Sequence, residues 1–190
     1  MPLPVQPNPW VTVSSAEVFD NPWVTVIHND VLRPSGNPGI YSVVHFKRKA
    51  VGIIPVDREG FTWLVGQHRY PHDRYEWEIP EGGAEADESP LDCARRELQE
   101  EAGLVAAHWT PLLEMQLSNS CTDEVSLTFL AQELTPTAVA PEETEQLAIQ
   151  RIPLADAFEL VLGGHIRDAL SVASLLKLQA LLTSGRLVLG

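Results

Sequence analysis

The chain has 190 residues, enough for one domain or for one domain with a small appendage, and its hydrophobic content of 44% is ample for a core. Thirteen Lys and Arg against 26 Asp and Glu give a formal net charge of −13, which argues against a nucleic-acid partner and means that any anionic substrate must be held by local cations or a bound metal. Two cysteines (Cys93 and Cys121) form neither a disulfide framework nor a metal-ligand spacing, no apolar run reaches membrane-spanning length, and no basic-then-apolar leader opens the chain, so the expectation is a cytoplasmic protein without a membrane partner.

Residues 1–10 carry Pro2, Pro4, Pro7 and Pro9 and read as an extended arm. Strands are expected over Trp10–Val13, Asn21–His28 and Tyr41–Val44, with the clearest turn signal at Pro34-Ser35-Gly36-Asn37-Pro38-Gly39. Two or three strands alone are marginal in water, so this sheet is expected to pack on the main body or on a second chain. Trp10 and Trp23 would serve that packing; stacking on a nucleobase is the rarer use. Lys47-Arg48-Lys49 reads as a solvated turn. Ala50–Val56 and Phe61–Gln67 then form a hairpin of buried strands, followed by Gln67-His68-Arg69-Tyr70 and by Tyr75–Gly83.

A helix is expected next. Ser89 is a good N-cap, Pro90 suits the first helical position, Asp92 completes a capping-box-like pattern, and Gly103 is a natural stop. At about 100° per residue, Leu91, Ala94, Leu98 and Ala102 form one apolar stripe, and Glu97, Glu100 and Glu101 share an arc beside it. Like charges so spaced repel, by a few tenths of a kcal/mol per pair on an exposed helix, and a bound cation would offset that. The ligands are all hard oxygens, which points to Mg²⁺ or Mn²⁺. The plainer alternative is a solvated acidic face. Strands follow over Trp109–Met115 and Val125–Ala131, then a Pro- and Glu-rich loop over Thr135–Glu145, a strand over Gln146–Ile152, a helix over Leu154–Leu162 ended by Gly163-Gly164, and a final apolar-rich helix over Asp168–Leu182. The six histidines show no ligand spacing.

Gly82, Glu88, Arg96-Glu97-Leu98, Glu100-Glu101 and Gly103-Leu104 match every fixed position of the Nudix box, nine positions over 23 residues, and the chain therefore resembles the Nudix hydrolases. Gln67-His68-Arg69 and Glu78-Ile79-Pro80-Glu81-Gly82 are similar to a pattern of the ADP-ribose-pyrophosphatase branch. The resemblance implies an α/β fold, a Nudix α/β/α sandwich around a mixed sheet over residues 49–190. A small N-terminal antiparallel β subdomain over residues 1–48 would precede it, through which such enzymes dimerise, hence a homodimer. It implies Mg²⁺-dependent hydrolysis of the pyrophosphate bond of a nucleoside diphosphate sugar, ADP-ribose first, to a nucleoside monophosphate and a sugar phosphate. Another Nudix substrate (GDP-mannose, a dinucleoside polyphosphate, a nucleoside triphosphate or an RNA cap) and a non-catalytic nucleotide-sugar-binding regulator are the alternatives.

Family roles carry over by position. Glu97, Glu100 and Glu101 would ligate metal together with the backbone carbonyl of Glu81, Glu101 counting among the catalytic residues too. Glu88 and Arg96 would orient loop and helix as an ion pair. Arg69 would grip the diphosphate, a surface salt bridge being its plain alternative, and Glu78 would be an outer metal ligand or a substrate contact. Thr122-Asp123-Glu124 matches the end of a substrate loop S-P-G-x-[ST]-[DE]-E, which makes Asp123 and Glu124 substrate-binding candidates, although the loop's proline and glycine are absent here. Glu143 is the first candidate for the general base on a mobile loop, with Glu142 and Glu145 behind it. Ser171 resembles a residue lining the substrate cleft; a helix cap or a surface hydroxyl is its alternative.

Overall fold

β-Branched and aromatic residues between turn signals build an antiparallel meander of three strands: β1 (Val11–Asp20), β2 (Val24–Leu32) and β3 (Pro38–Phe46), in that order. The computed structural model describes residues 3–138 and 147–190. It divides into two units, one running to Lys47 and including Ser118–Glu124, the other formed by Arg48–Leu117 and the chain from Val125 onward. In the first unit β2 and β3 pair from Val24↔Phe46 to Leu32↔Pro38. Ser118–Glu124, part of the catalytic portion in the sequence reading, joins this sheet: Val44 N donates to Cys121 O at 2.9 Å and the Tyr41 hydroxyl to Ser120 O at 2.6 Å. β1 runs seven residues past the expected Val13. Every one of its residues is exposed, so Ser14–Asp20 lack the alternation that marks a half-buried strand. Polar cross-strand pairs hold it instead, Ser14 Oγ to Asp30 Oδ2 at 2.7 Å and Ser15 Oγ to Asn29 Oδ1 at 2.6 Å. Trp10 meets Tyr41 edge-on at 5.3 Å, yet Trp10 and Trp23 both stay exposed.

The second unit contains β4 (Ala50–Pro55), β5 (Phe61–Arg69), a 3₁₀ turn at Tyr70–His72, β6 (Arg74–Glu78), β7 (Glu81–Gly83), α1 (Pro90–Ala102), β8 (Leu104–Gln116), β9 (Val125–Pro136), β10 (Ala148–Pro153), α2 (Leu154–Leu162) and α3 (Ala169–Thr183). One sheet is antiparallel, ordered β10–β5–β6. The other is mixed, ordered β7–β4–β9–β8, with β4 and β9 parallel. Strand alternation sets the layers. Val51 and Ile53 of β4 and Phe129 of β9 pack against Ala94 and Leu98 of α1. Ile54 and Leu130 turn the other way, into a cluster with Leu170, Leu175 and Leu178 of α3 and Leu154 and Phe158 of α2. Each fully buried aliphatic side chain here contributes about 2 kcal/mol relative to exposure. The expected α/β/α arrangement around a mixed sheet is what the chain builds. No helix is long and apolar enough to cross a membrane.

Candidate active site

The loop between β6 and α1 is shaped by one missing side chain. A Cβ on Gly82 would stand 1.9 Å from Glu97 Oε1, so glycine leaves the space in which the Glu97 carboxylate lies against the loop. The helix carrying Glu97 begins and ends on local signals. Ser89 Oγ accepts from the Asp92 amide at 3.1 Å, Pro90 opens the first turn, and Gly103 (φ 63°) closes the last with its amide on Gln99 O. Cys93, Ala94, Leu98 and Ala102 are buried along the inner stripe. Glu97 and Glu101 border it and are buried too, at 7% and 1% exposure. Burial, and then the neighbouring Glu97 carboxylate, pushes the Cys93 thiol up to about 12, so it stays protonated.

Arg96 supplies the counter-charge. Its Nε and Nη2 donate to Glu88 at 3.0 and 2.9 Å, Nη1 donates to Glu97 at 2.7 Å and to Glu100 at 2.9 Å, and Nη2 also reaches Gly83 O at 3.2 Å. One guanidinium thus joins the loop backbone to three carboxylates, and the Glu88–Arg96 pair is in place. Hydrogen bonding from Arg96 holds the Glu88 carboxyl below its ordinary range. Glu101 works on the other side of the loop, where its Oε2 accepts the Glu81 amide at 2.8 Å.

A pocket of about 480 Å³ is lined by Arg69, Glu78, Glu81 and Asp168 and by Pro71, His72, Arg74, Glu76 and Arg167. Strand alternation puts Glu76 and Glu78 on one face of β6, and Gln67 and Arg69 on one face of β5. Buried Glu78 accepts from Gln67 Nε2 at 2.7 Å and from Arg69 Nε at 3.1 Å, and Arg69 Nη2 lies 2.6 Å from Glu78 Oε1 and 3.0 Å from Glu81 Oε1. Burial raises the Glu78 carboxyl above its usual range despite Arg69. The same cause, reinforced by Asp168 and Glu78, lifts Glu81 well above it. Among the described residues Glu81 Oε2 is buried without a hydrogen-bond partner.

Among the described residues no three His, Cys, Asp or Glu side chains converge as metal ligands. Arg96 draws Glu97 and Glu100 to itself, and Glu101 is engaged by the Glu81 amide. The donors gathered here are nevertheless all carboxylate and carbonyl oxygens, with the buried Glu81 Oε2 left without a hydrogen-bond partner among the described residues. That set fits a hard divalent cation.

Ser171 is fully buried, and its Oγ accepts the Ile79 amide at 3.0 Å, so its hydroxyl ties α3 to the end of β6. Asp123 lies in the N-terminal unit, where it takes His45 Nδ1 at 2.6 Å and the Phe46 amide at 2.9 Å, and Glu124 belongs to the same unit. Glu142, Glu143 and Glu145 lie outside the described residues. Sequence reasoning missed Glu76, Arg167 and Asp168. Asp168 was legible as a helix start, and it does cap α3 by accepting the Ser171 amide at 2.6 Å. Arg167 carries no local signal, because its partner Glu76 is 91 residues away.

Residues 46–174 match the family model of the NUDIX domain, and residues 10–44 match that of the nucleoside diphosphate sugar hydrolase N-terminal domain. The chain belongs to the Nudix family. This Nudix hydrolase is 31% identical over 176 residues to an ADP-ribose pyrophosphatase of Mycobacterium tuberculosis strain H37Rv, covering 90% of this chain and 84% of that one. It is 31% identical over 170 residues to an ADP-ribose pyrophosphatase of Bacillus subtilis, covering 88% and 91%. A solved structure, that of an ADP compounds hydrolase, superposes with a TM-score of 0.84 at 25% identity, covering 97% of this chain and all of the other. The Nudix match ends inside α3 and so takes in Arg167, Asp168 and Ser171.

Proposed function

We propose that this Nudix hydrolase cleaves the pyrophosphate bond of a nucleoside diphosphate sugar, ADP-ribose before other sugar nucleotides, using Mg²⁺ or Mn²⁺. The observation that carries the reading is the Arg69–Glu78–Glu81 group inside a pocket of about 480 Å³, a size that suits a small-molecule ligand. The two relatives described as ADP-ribose pyrophosphatases support the choice of substrate. Glu97, Glu100, Glu101 and the Glu81 carbonyl would hold the divalent cation, which when bound neutralises diphosphate charge and acidifies a water.

The protein's own residues do the rest. Arg69, oriented by Gln67 and Glu78, exchanges its Glu81 contact for a phosphate oxygen, which a guanidinium meets with two parallel N–H groups. Glu101 and Ser171 hold the backbone at Glu81 and Ile79 so that this arrangement keeps its shape. Glu143, or one of its neighbours Glu142 and Glu145, takes the proton of the attacking water. The water oxygen bonds to one phosphorus, the bridging P–O bond breaks, and the bridging oxygen leaves with the other phosphate. The exposed apolar side chains of the N-terminal unit, Val11, Val13, Val18, Phe19 and Trp23, support a homodimer, and the cytoplasm is its proposed location.

Phosphate release in a phosphatase-coupled assay over ADP-ribose, GDP-mannose, diadenosine polyphosphates and nucleoside triphosphates tests the reading. The expected result is Mg²⁺-dependent turnover of ADP-ribose well above the triphosphates. Turnover confined to triphosphates would overturn it.

A further inference from the structure

The pocket holds two charge clusters of opposite balance. In one, three carboxyl groups, Glu78, Glu81 and Asp168, face the single guanidinium of Arg69. In the other, two guanidiniums, Arg74 and Arg167, face the single carboxylate of Glu76. The second cluster plays no part in holding the box helix or its loop. Its geometry is nonetheless built. Glu76 is buried at 8% exposure, and it accepts Arg167 Nη2 at 2.9 and 3.0 Å and Arg167 Nε at 3.2 Å, while Arg74 Nε stands 3.8 Å from Glu76 Oε1. This clamp uses the Nε and Nη2 groups of Arg167 and leaves Nη1 out of it. Fixing one edge of the guanidinium removes rotamer freedom from a long side chain before any ligand arrives. This cluster carries one positive charge in excess, in a protein carrying −13 overall.

We propose that Arg167, clamped by Glu76 and flanked by Arg74, is the residue that receives the second phosphate of the substrate's diphosphate, the one that does not lie on the acidic cluster. The inference rests on the pyrophosphate-cleaving reading above and deepens it. It makes the pocket polarised along the diphosphate, with one phosphate beside the carboxylates and their cation and the other on a preset guanidinium. Arg167 is then a substrate-binding residue, and Glu76 is a positioning residue that acts through it.

The test is calorimetric binding of inorganic pyrophosphate to the full chain in EDTA, followed by steady-state kinetics with ADP-ribose and Mg²⁺. Arg167→Gln is expected to weaken metal-free pyrophosphate binding about tenfold and to raise KM by about as much, with kcat changed by less than about threefold. Glu76→Gln is expected to raise KM about threefold and to leave kcat alone, a split that a general loss of structure would not give. Arg186→Gln, which removes an exposed arginine from outside the pocket, controls for net charge and is expected to change neither quantity. If melting shows Arg167→Gln to be unfolded, Arg167→Lys decides: the retained charge keeps the Glu76 pair, and the loss of the planar fork is expected to weaken pyrophosphate about threefold. Pyrophosphate binding within about twofold of wild type in the folded variant, or no binding by the wild type itself, overturns the proposal. A wild type that binds pyrophosphate through Arg167 but hydrolyses no sugar nucleotide would leave this inference standing and sink the substrate reading; ADP-ribose turnover with an unchanged KM in Arg167→Gln would do the reverse.

Discussion

In the catalytic unit, α1 and α3 sandwich β4 and β9, and Glu78, Glu97 and Glu101 are buried among them. In the N-terminal unit, Val31 is the one apolar side chain that is buried among the described residues, and β1 is exposed from end to end. A unit with two hydrophobic clusters has enough apolar burial to carry carboxyl groups in strained electrostatic surroundings. A unit without a core of its own relies on ladder hydrogen bonds and cross-strand pairs, and its outward Val11, Val13, Phe19 and Trp23 have no partners within it to hide them. Chemistry and concealment are thus divided between the two. Charge is concentrated where packing is strongest, and apolar surface is displayed where packing is weakest.

The largest effect that would sharpen this contrast is on turnover. Glu101→Gln and Gly82→Ala are each expected to lower kcat at least about 100-fold while far-UV dichroism stays native, the first by weakening the carboxylate group and the second by driving a methyl into Glu97. Near-normal turnover in either variant would break the assignment of the catalytic unit. Arg96→Met comes next, because it strips the cation from Glu88, Glu97 and Glu100, and a loss of about 3 kcal/mol in urea unfolding is expected. Ser171→Ala leaves the buried Ile79 amide without its acceptor and is expected to cost about 2 kcal/mol.

The N-terminal unit should respond far less. Ser15→Ala is expected to cost less than about 0.5 kcal/mol, since its bond to Asn29 lies in water. Asp123 gives the smallest and most specific signal. Burial works against ionisation there, but His45 and the Phe46 amide outweigh it and hold the carboxyl below its ordinary value of 3.8. A depressed folded-state value means that the contribution is present above about pH 3.8 and is lost as the pH falls through the lower, folded value. Asp123→Asn is expected to lower the melting temperature slightly near neutrality, where the ionised carboxylate contributes, and to flatten the acid limb so that the two profiles converge at low pH.

What was legible in the sequence follows the same division. α1 was readable in full, because cap, stripe, stop and box spacing all lie within one short run, Ser89 to Leu104. α2 was readable to the residue, since Pro153 and Gly163 bracket it. The far half of β1 was not, because a strand exposed on both faces has no alternation to detect. Arg69 was readable as a cation near acids; that it is shared by Glu78 and Glu81 depends on β5–β6 register and on the β7 turn. Glu76 with Arg167, and Ser171 with Ile79, are invisible to any local pattern because each pair joins distant parts of the chain.

Those two long ties also set an order for the molecule's assembly as it is synthesised. The box helix is complete at Gly103 and carries its own start and stop signals, so it is free to form early. The Ile79 amide must wait for a serine 92 residues further on, and Glu76 must wait for an arginine 91 residues further on. A nascent chain that has released everything through β10 therefore still presents an unfinished cleft, with Glu76 lacking its clamp and the end of β6 untethered. The two ties close only once Arg167 and Ser171, at the start of α3, have been made, so the cleft is among the last parts of the molecule to be completed.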